Sequence, residues 1–449
     1  MRYLLYCTLI CCSSLFLQCT KENMHISVPG KLAVARYGVG NNRHVVNVTN
    51  PGLNKDIQPA LQAAIDGAEN GDEIRLPEGR FSVCKSIVVK KPVSIQGSGM
   101  ALTILFRPEE ISDSILSSDS SNCMFKCTIN VTSSSRLSFS DFSLKSKVPC
   151  VVIGDGGSLA PDIGIRLTGC TDFLITRCHF ENFGYAAISV VHEDDVSRGL
   201  ISKNEFYHNV KGPDGLSLGY GIVICGSNKQ WMSNPQFGTN NFIFAEDNTF
   251  DFHRHAIAAG GCARYVFRYN TIINNNIGPH SGQAIDAHEA RQIAGPNYYS
   301  ARAVEIYNNK VSNSTFTDGT SINTGLSAKS LVETAILIRG GEALVHDNDI
   351  SGYRFAVGIM NFVVQGPQAY PIFTQIGYAS GSNYGTSHTG NDSSYGDGDL
   401  FAWDNNFVPY IGTDSSSAFY NYQPQYFMEE RDFHLSAKPD YTPYPYPHP

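Results

Sequence analysis

One pattern constrains this chain more than any other. A β-rich stretch is followed by Asn, one further residue, then a bulky apolar residue. It recurs at Asn204-Glu205-Phe206, Asn248-Thr249-Phe250, Asn270-Thr271-Ile272, Asn309-Lys310-Val311, Asn348-Asp349-Ile350 and Asn405-Asn406-Phe407. Cys178-His179-Phe180 is an earlier copy with Cys in the Asn place. An apolar residue stands three places before each: Ile175, Ile201, Ala245, Phe267, Ile306, Val345 and Ala402. The unit is about 22 residues, its shortest spacing being Asn248 to Asn270, with insertions lengthening the others. A second strand follows each Asn, in Tyr185-Ala-Ala-Ile188, Gly219-Tyr-Gly-Ile222, Arg254-His-Ala-Ile257, Gly282-Gln-Ala-Ile285 and Glu333-Thr-Ala-Ile336. Phe355-Ala-Val-Gly-Ile359 is a looser copy.

Short strands, a fixed period and a stacked Asn predict an all-β fold, a single-stranded right-handed parallel β-helix. No coil can bury its inner face alone. Stacking at about 4.8 Å turns equivalent Ile, Val and Phe residues into inward columns. The Asn amide can bond the backbone and the Asn of the next coil at a sharp turn. A short helix should cap the first coil, over Asp56-Ile57-Gln58-Pro59-Ala60-Leu61-Gln62-Ala63-Ala64-Ile65. Asp56 reads as its cap, Pro59 suits the first turn, and Ile57, Leu61, Ala64 and Ile65 form one apolar stripe.

That helix, Gly71-Asp72, Leu76-Pro-x-Gly79 and Ile95-Gln-Gly-Ser-Gly99 together resemble the start of the pectate-lyase-like β-helix superfamily. The resemblance covers about 56 to 410. It implies the fold; the superfamily hosts lyases, hydrolases, epimerases, tailspikes and proteins without known activity, so function must come from a site. The expected organisation is a signal segment over 1–18, a linker over 19–50, the β-helix with its cap over 51–410 and a Tyr/Pro-rich extension over 411–449. The extension ends in Tyr441-Thr-Pro-Tyr-Pro-Tyr-Pro-His-Pro449 and should either lie along the solenoid or stay mobile.

Charged residues are only 16% and net charge is −8, which argues against a nucleic-acid partner. Arg2 followed by the apolar run to Leu17 reads as an export signal. Leu15-Phe16-Leu17-Gln18-Cys19 resembles a relaxed lipobox, which implies lipidation of Cys19 and a membrane contact through that anchor only. Gln18 stands where that motif has a small residue, and a plain secretory signal cut nearby is the other reading. The expected location is an outer-membrane or surface lipoprotein, or a secreted protein. No Cys/His set has zinc spacing. His192-Glu193-Asp194-Asp195 can coordinate calcium through oxygens, or be a solvated turn.

Insertions crowd the middle coils, and so do polar residues. Aligning the second strands on inward Ile257, Ile285 and Ile336 sets Asp286 one place on, facing outward. His288 and Arg339 lie three places on in successive coils and also face outward. Arg254 and His255 enter the preceding coil, with His253, Glu289, Tyr298 and Tyr299 as candidate substrate contacts. An acid, a base and cations on one face suit proton abstraction beside a sugar carboxylate. His288 would be base or acid, Asp286 would orient it, and Arg339 or Arg254 would pair with the carboxylate. Asp286-Ala-His-Glu289 looks like the Asp-Pro-His-Glu motif of mannuronan C5-epimerases, with Ala287 in place of Pro; the resemblance implies that Asp286 and His288 are catalytic. A hydrolase needs two flanking carboxylates, and Asp286 and Glu289 differ in parity. The expected function is therefore a lyase or C5-epimerase-like enzyme on a uronic-acid polysaccharide. The alternative is a glycan-binding or adhesive surface protein without catalysis.

Overall fold

The computed structural model describes residues 44–108, 123–128, 136–146, 162–191, 198–209, 219–226, 236–273, 283–288, 300–313, 334–360, 400–409, 416–422, 424, 427, 429–430 and 432–449. Cys19, the segment 192–195, Glu289, Tyr298 and Tyr299 lie outside the described residues. Among the described residues the strands form two sheets, one of twenty strands and one of ten, in which every strand pair is parallel. The chain is a right-handed parallel β-helix, and its solenoid continues past 410 through strands Ser417–Asn421 and Phe433–His434.

The inward columns follow the repeat. In the ten-stranded sheet Ile87, Phe125, Ile165, Ile188, Ile222, Ile257, Ile285, Ile336, Val357 and Phe419 stack in one column. In the other sheet Ile175, Ile201, Ala245, Phe267, Ile306, Val345 and Ala402 do the same. Phe180, Phe206 and Phe250 lie ring on ring, with centroids 5.1 and 4.5 Å apart.

The Asn column is a continuous hydrogen-bond ladder. The backbone N–H and side-chain amide of Asn204, Asn248, Asn270, Asn309 and Asn348 each donate to the Oδ1 of the next Asn. Each Nδ2 also reaches a carbonyl of the coil before: Ile175, Ile201, Ala245, Phe267 and Ile306 in turn. The preceding residues Arg177, Lys203, Asp247, Tyr269, Asn308, Asp347 and Asp404 are left-handed, with φ from 48° to 58°. That conformation is uncommon outside Gly, and the ladder compensates it at every coil. Cys178 keeps the place with its backbone N–H, which donates to Asn204 Oδ1 at 2.9 Å, while its thiol reaches Thr176 O at 3.5 Å.

Small residues hold a second column. Gly164, Ala187, Gly221, Ala256, Ala284, Ala335 and Ala356 occupy the position just before the inward column. A Cβ on Gly221 would sit 2.7 Å from the Ala256 carbonyl oxygen and 2.7 Å from the Phe250 ring. Ala256 and Ile257 both pack in the core, so two consecutive residues point inward and strand alternation breaks there. Overfilling this column should cost about 1–3 kcal/mol. Ala256→Leu is accordingly expected to lower the urea midpoint clearly; an unchanged midpoint would mean that the column has spare room.

The capping helix spans Gln58–Gly67, with Leu61 and Ile65 buried. Asp56 sits one place before the N-cap, which is Ile57 and has no side-chain capping bond. Asp56 Oδ1 instead accepts from Gln58 N at 3.1 Å and Cys84 N at 3.3 Å, tying helix to first coil. Cys123, Cys127, Cys170, Cys178 and Cys262 are buried thiols; burial pushes Cys123 and Cys178 up to about 12, which leaves them protonated.

Candidate active site

The broken alternation in the small-residue column builds the site. It turns His255 to the outside, on the same side as the next outward position, so His255 of one coil meets Asp286 of the next. Asp286 pairs in register with Ala258 on one side and Leu337 on the other. His288 N donates to Ala259 O and Arg339 N to Ala287 O, each at 2.8 Å, which keeps His288 and Arg339 level at the strand ends.

Three side chains converge on the Asp286 carboxylate. Arg339 binds Asp286 through two parallel hydrogen bonds, Nε to Oδ1 at 2.8 Å and Nη2 to Oδ2. His288 Nε2 lies 3.6 Å and His255 Nε2 3.7 Å from Oδ2. Asp286 is 1% exposed and Arg339 7%. The His288 side chain, at 15%, is the most accessible of these four residues. Burial by itself would raise the Asp286 pKa; the Arg339 guanidinium, followed by His288, outweighs it and holds the carboxyl well below its ordinary value. Asp286 is therefore ionised at neutral pH.

His255 is the opposite case. Burial pushes it down to about 3, helped by nearby Arg254 and opposed by Asp286. Its Nδ1 lies 2.6 Å from the Gln283 carbonyl, which can only accept, so Nδ1 carries the hydrogen. The neutral ring then turns an Nε2 lone pair toward Asp286. His255 stacks on Tyr220, centroids 5.7 Å apart, and Tyr220 OH accepts from Arg254 Nη1 at 2.9 Å.

Several sequence expectations are corrected here. The Asp286, His288 and Arg339 set does converge, but Asp286 and Arg339 are buried rather than laid on an open face. The Arg339 guanidinium lies against Asp286, bonded to it through both Nε and Nη2. His255 belongs to the centre of the cluster, not to its rim, while half-buried Arg254 packs its guanidinium 5.7 Å above the Tyr220 ring. His253 makes no part of the site. It is fully buried, Nε2 lies 3.1 Å from Phe206 O, and burial takes it down to about 4. It repeats the bond that Asn209 Nδ2 makes to Phe180 O one coil earlier. His253 is a ladder residue of a second turn, which its spacing of three after Phe250, like Asn209 after Phe206, could have signalled. Tyr220 was missed, although the repeat sets it directly under His255 in Gly219-Tyr-Gly-Ile222. Among the described residues no group of His, Cys, Asp and Glu has the arrangement of a metal centre.

Residues 163–362 match the sequence family described as the right handed beta helix region. No curated protein matches the chain. Among solved structures, ORF18 of Geobacillus virus E2 is 12% identical with a TM-score of 0.40, covering 71% of this chain and 57% of its own. A mannuronic acid specific polysaccharide family 6 lyase from human gut microbiota is 14% identical, TM-score 0.47, covering 88% of this chain and 87% of its own. DFA-IIIase from Arthrobacter chlorophenolicus A6, without its lid, is 15% identical, TM-score 0.44, covering 84% and 92%. At these identities no residue role passes from those proteins to this chain.

Proposed function

We propose, from a right-handed β-helix whose residues 163–362 match the right handed beta helix region, that the chain is a proton-transfer enzyme acting on a uronic-acid polysaccharide. The observation that carries this reading is the Asp286 carboxylate, clamped by Arg339 and flanked at 3.6 Å by the more accessible His288. An ionised Asp286 favours hydrogen on the His288 Nε2 that faces it. The neutral ring can accept one further proton. Asp286 also stabilises the imidazolium that results.

Carbon 5 of a uronate, next to its carboxylate, is the proton such a base can remove. In elimination His288 takes the C5 proton, the C–H electrons form the C4=C5 bond, the C4–O bond breaks, and a proton returns to the leaving oxygen. In epimerisation His288 keeps the abstracted proton, a different, solvent-derived proton is delivered to C5 from the opposite face, and no bond to oxygen breaks. Negative charge developing on the carboxylate calls for a cation. Arg254, half-buried beside Tyr220, is the candidate, since Arg339 is engaged.

The test is a panel of polyuronates of differing sugar and linkage, incubated in deuterated water. Elimination gives ultraviolet-absorbing unsaturated ends, and epimerisation gives deuterium at C5 without them. Neither signal on any polymer, together with retention on a polyuronate column, would overturn the enzymatic reading in favour of glycan binding alone.

A further inference from the structure

Outward residues of a solenoid normally meet water, but two outward columns of the twenty-stranded sheet do not. One runs Glu246, Arg268, Tyr307, His346 and Trp403, the other Phe244, Val266, Glu305, Leu344 and Phe401. Residues 438–449 lie across them as a strap. Tyr441 OH donates to Glu305 Oε2, and Gly238 N donates to Oε1 at 2.8 Å. Arg268 donates to the carbonyls of Tyr444 and Pro445, at 2.5 and 2.8 Å. His448 N donates to Glu246 Oε1 at 3.0 Å. Tyr446 stacks on Tyr269 at 3.6 Å and donates to Asp247 Oδ1. Tyr441 stands edge-on to His346 and Trp403.

Among the described residues the charges beneath the strap do not balance. Glu246 and Glu305 are 2% and 0% exposed, and Arg268 is 0% exposed. Arg268 is spent on Glu246, with Nε and Nη2 at 2.8 and 2.7 Å from Oε2. Glu305 is then a second buried carboxylate that no cation of its own neutralises among the described residues, and such a group takes a proton rather than keep a buried charge. We propose that the strap is a proton-coupled latch, in which docking of residues 438–449 requires a proton on Glu305 and ionisation of Glu305 drives release.

Burial raises the docked Glu305 from 4.5 to about 7, against the Tyr441 and Gly238 donors and Arg268. The folded value is raised, so docking is strongest below the free value of 4.5 and weakens as pH rises to about 7. Other groups face the strap. Burial lowers His448 to about 4 despite Pro449, with Arg268 and Arg136 adding to the fall. Burial also lowers His346, against Asp347 and Asp404. Both imidazoles oppose docking as pH falls. The Tyr307, Tyr441 and Tyr446 hydroxyls are all raised, first by burial for the former two and by Asp247 for the last, and stay protonated. Release would uncover the stacked rings of Tyr307, His346 and Trp403, whose centroids lie 4.8 and 4.2 Å apart.

The test compares wild type with Glu305→Gln by hydrogen exchange of the strap amides from pH 5 to 8, corrected for the intrinsic rate. The imidazoles are common to both proteins and cancel in the ratio. The ratio of wild-type to variant opening should climb roughly tenfold per pH unit, then level near pH 7. Tyr441→Phe, which keeps the charge and loses the hydroxyl, should open the strap at every pH while retaining the slope. A ratio that does not change with pH, with both proteins folded by circular dichroism, would overturn the proposal.

Discussion

Asp286→Asn should lose stability and turnover together, whereas His288→Ala should lose turnover alone. The Asn variant leaves the Arg339 guanidinium buried, still hydrogen-bonded but without its counter-charge. Breaking such a pair from one side costs about 3–5 kcal/mol. Removing a general base typically costs about 10²- to 10⁴-fold in rate. His288 holds a position at the strand end through its backbone N–H to Ala259, a bond that Ala keeps. Melting temperature and turnover on the active polyuronate, measured for both variants, separate the roles. A His288→Ala protein as destabilised as Asp286→Asn would make His288 structural. The double variant Asp286→Leu, Arg339→Met should recover most of the stability and none of the activity, because an apolar pair of similar volume replaces the buried ion pair without desolvated charge. Both titrating groups here act in the same direction in acid. Asp286 is lowered, so its contribution is present above the ordinary 3.8 and is lost below it; His255, lowered to about 3, loses its contribution as pH falls from 6.5.

Asn270→Ala should be among the most destabilising substitutions in the solenoid. Asn270 Oδ1 accepts from the backbone and the side chain of Asn248, both at 3.0 Å. Its Nδ2 donates to Ala245 O at 2.9 Å and to Asn309 Oδ1 at 3.1 Å. Alanine strands the Asn248 backbone N–H and the Ala245 carbonyl in a water-free turn, at about 1–3 kcal/mol for each unsatisfied group. A loss of about 3–5 kcal/mol is expected from urea unfolding, more than any single methyl-sized change in the neighbouring apolar columns. The damage should spread mainly to adjoining coils and to the strap over Arg268 and Tyr269, since a solenoid coil otherwise contacts its neighbours alone. Exchange protection lost first around Asn248 and Asn309 is the expected local signature; uniform loss along the whole solenoid would contradict it.

Both results bear on how far a one-dimensional reading reaches. The repeat by itself determines the architecture. A solenoid's contacts join residues one period apart, so equivalent positions in the sequence are neighbours in space. The alignment of Ile257, Ile285 and Ile336, the Asn ladder, and the outward placing of Asp286 with His288 all follow from it. Three things came from tertiary packing. The inward pair Ala256 and Ile257 breaks the alternation that a period of two assumes, and with it His255 joins the carboxylate. Arg339 could meet either a substrate or Asp286, and its two bonds to Asp286 at the strand ends are visible only in the structure. The strap pairs Tyr441 with Glu305 and Tyr444 with Arg268 over separations of 136 and 176 residues, outside the repeat. Periodicity cannot place a segment that has none; buried charge and aromatic stacking do.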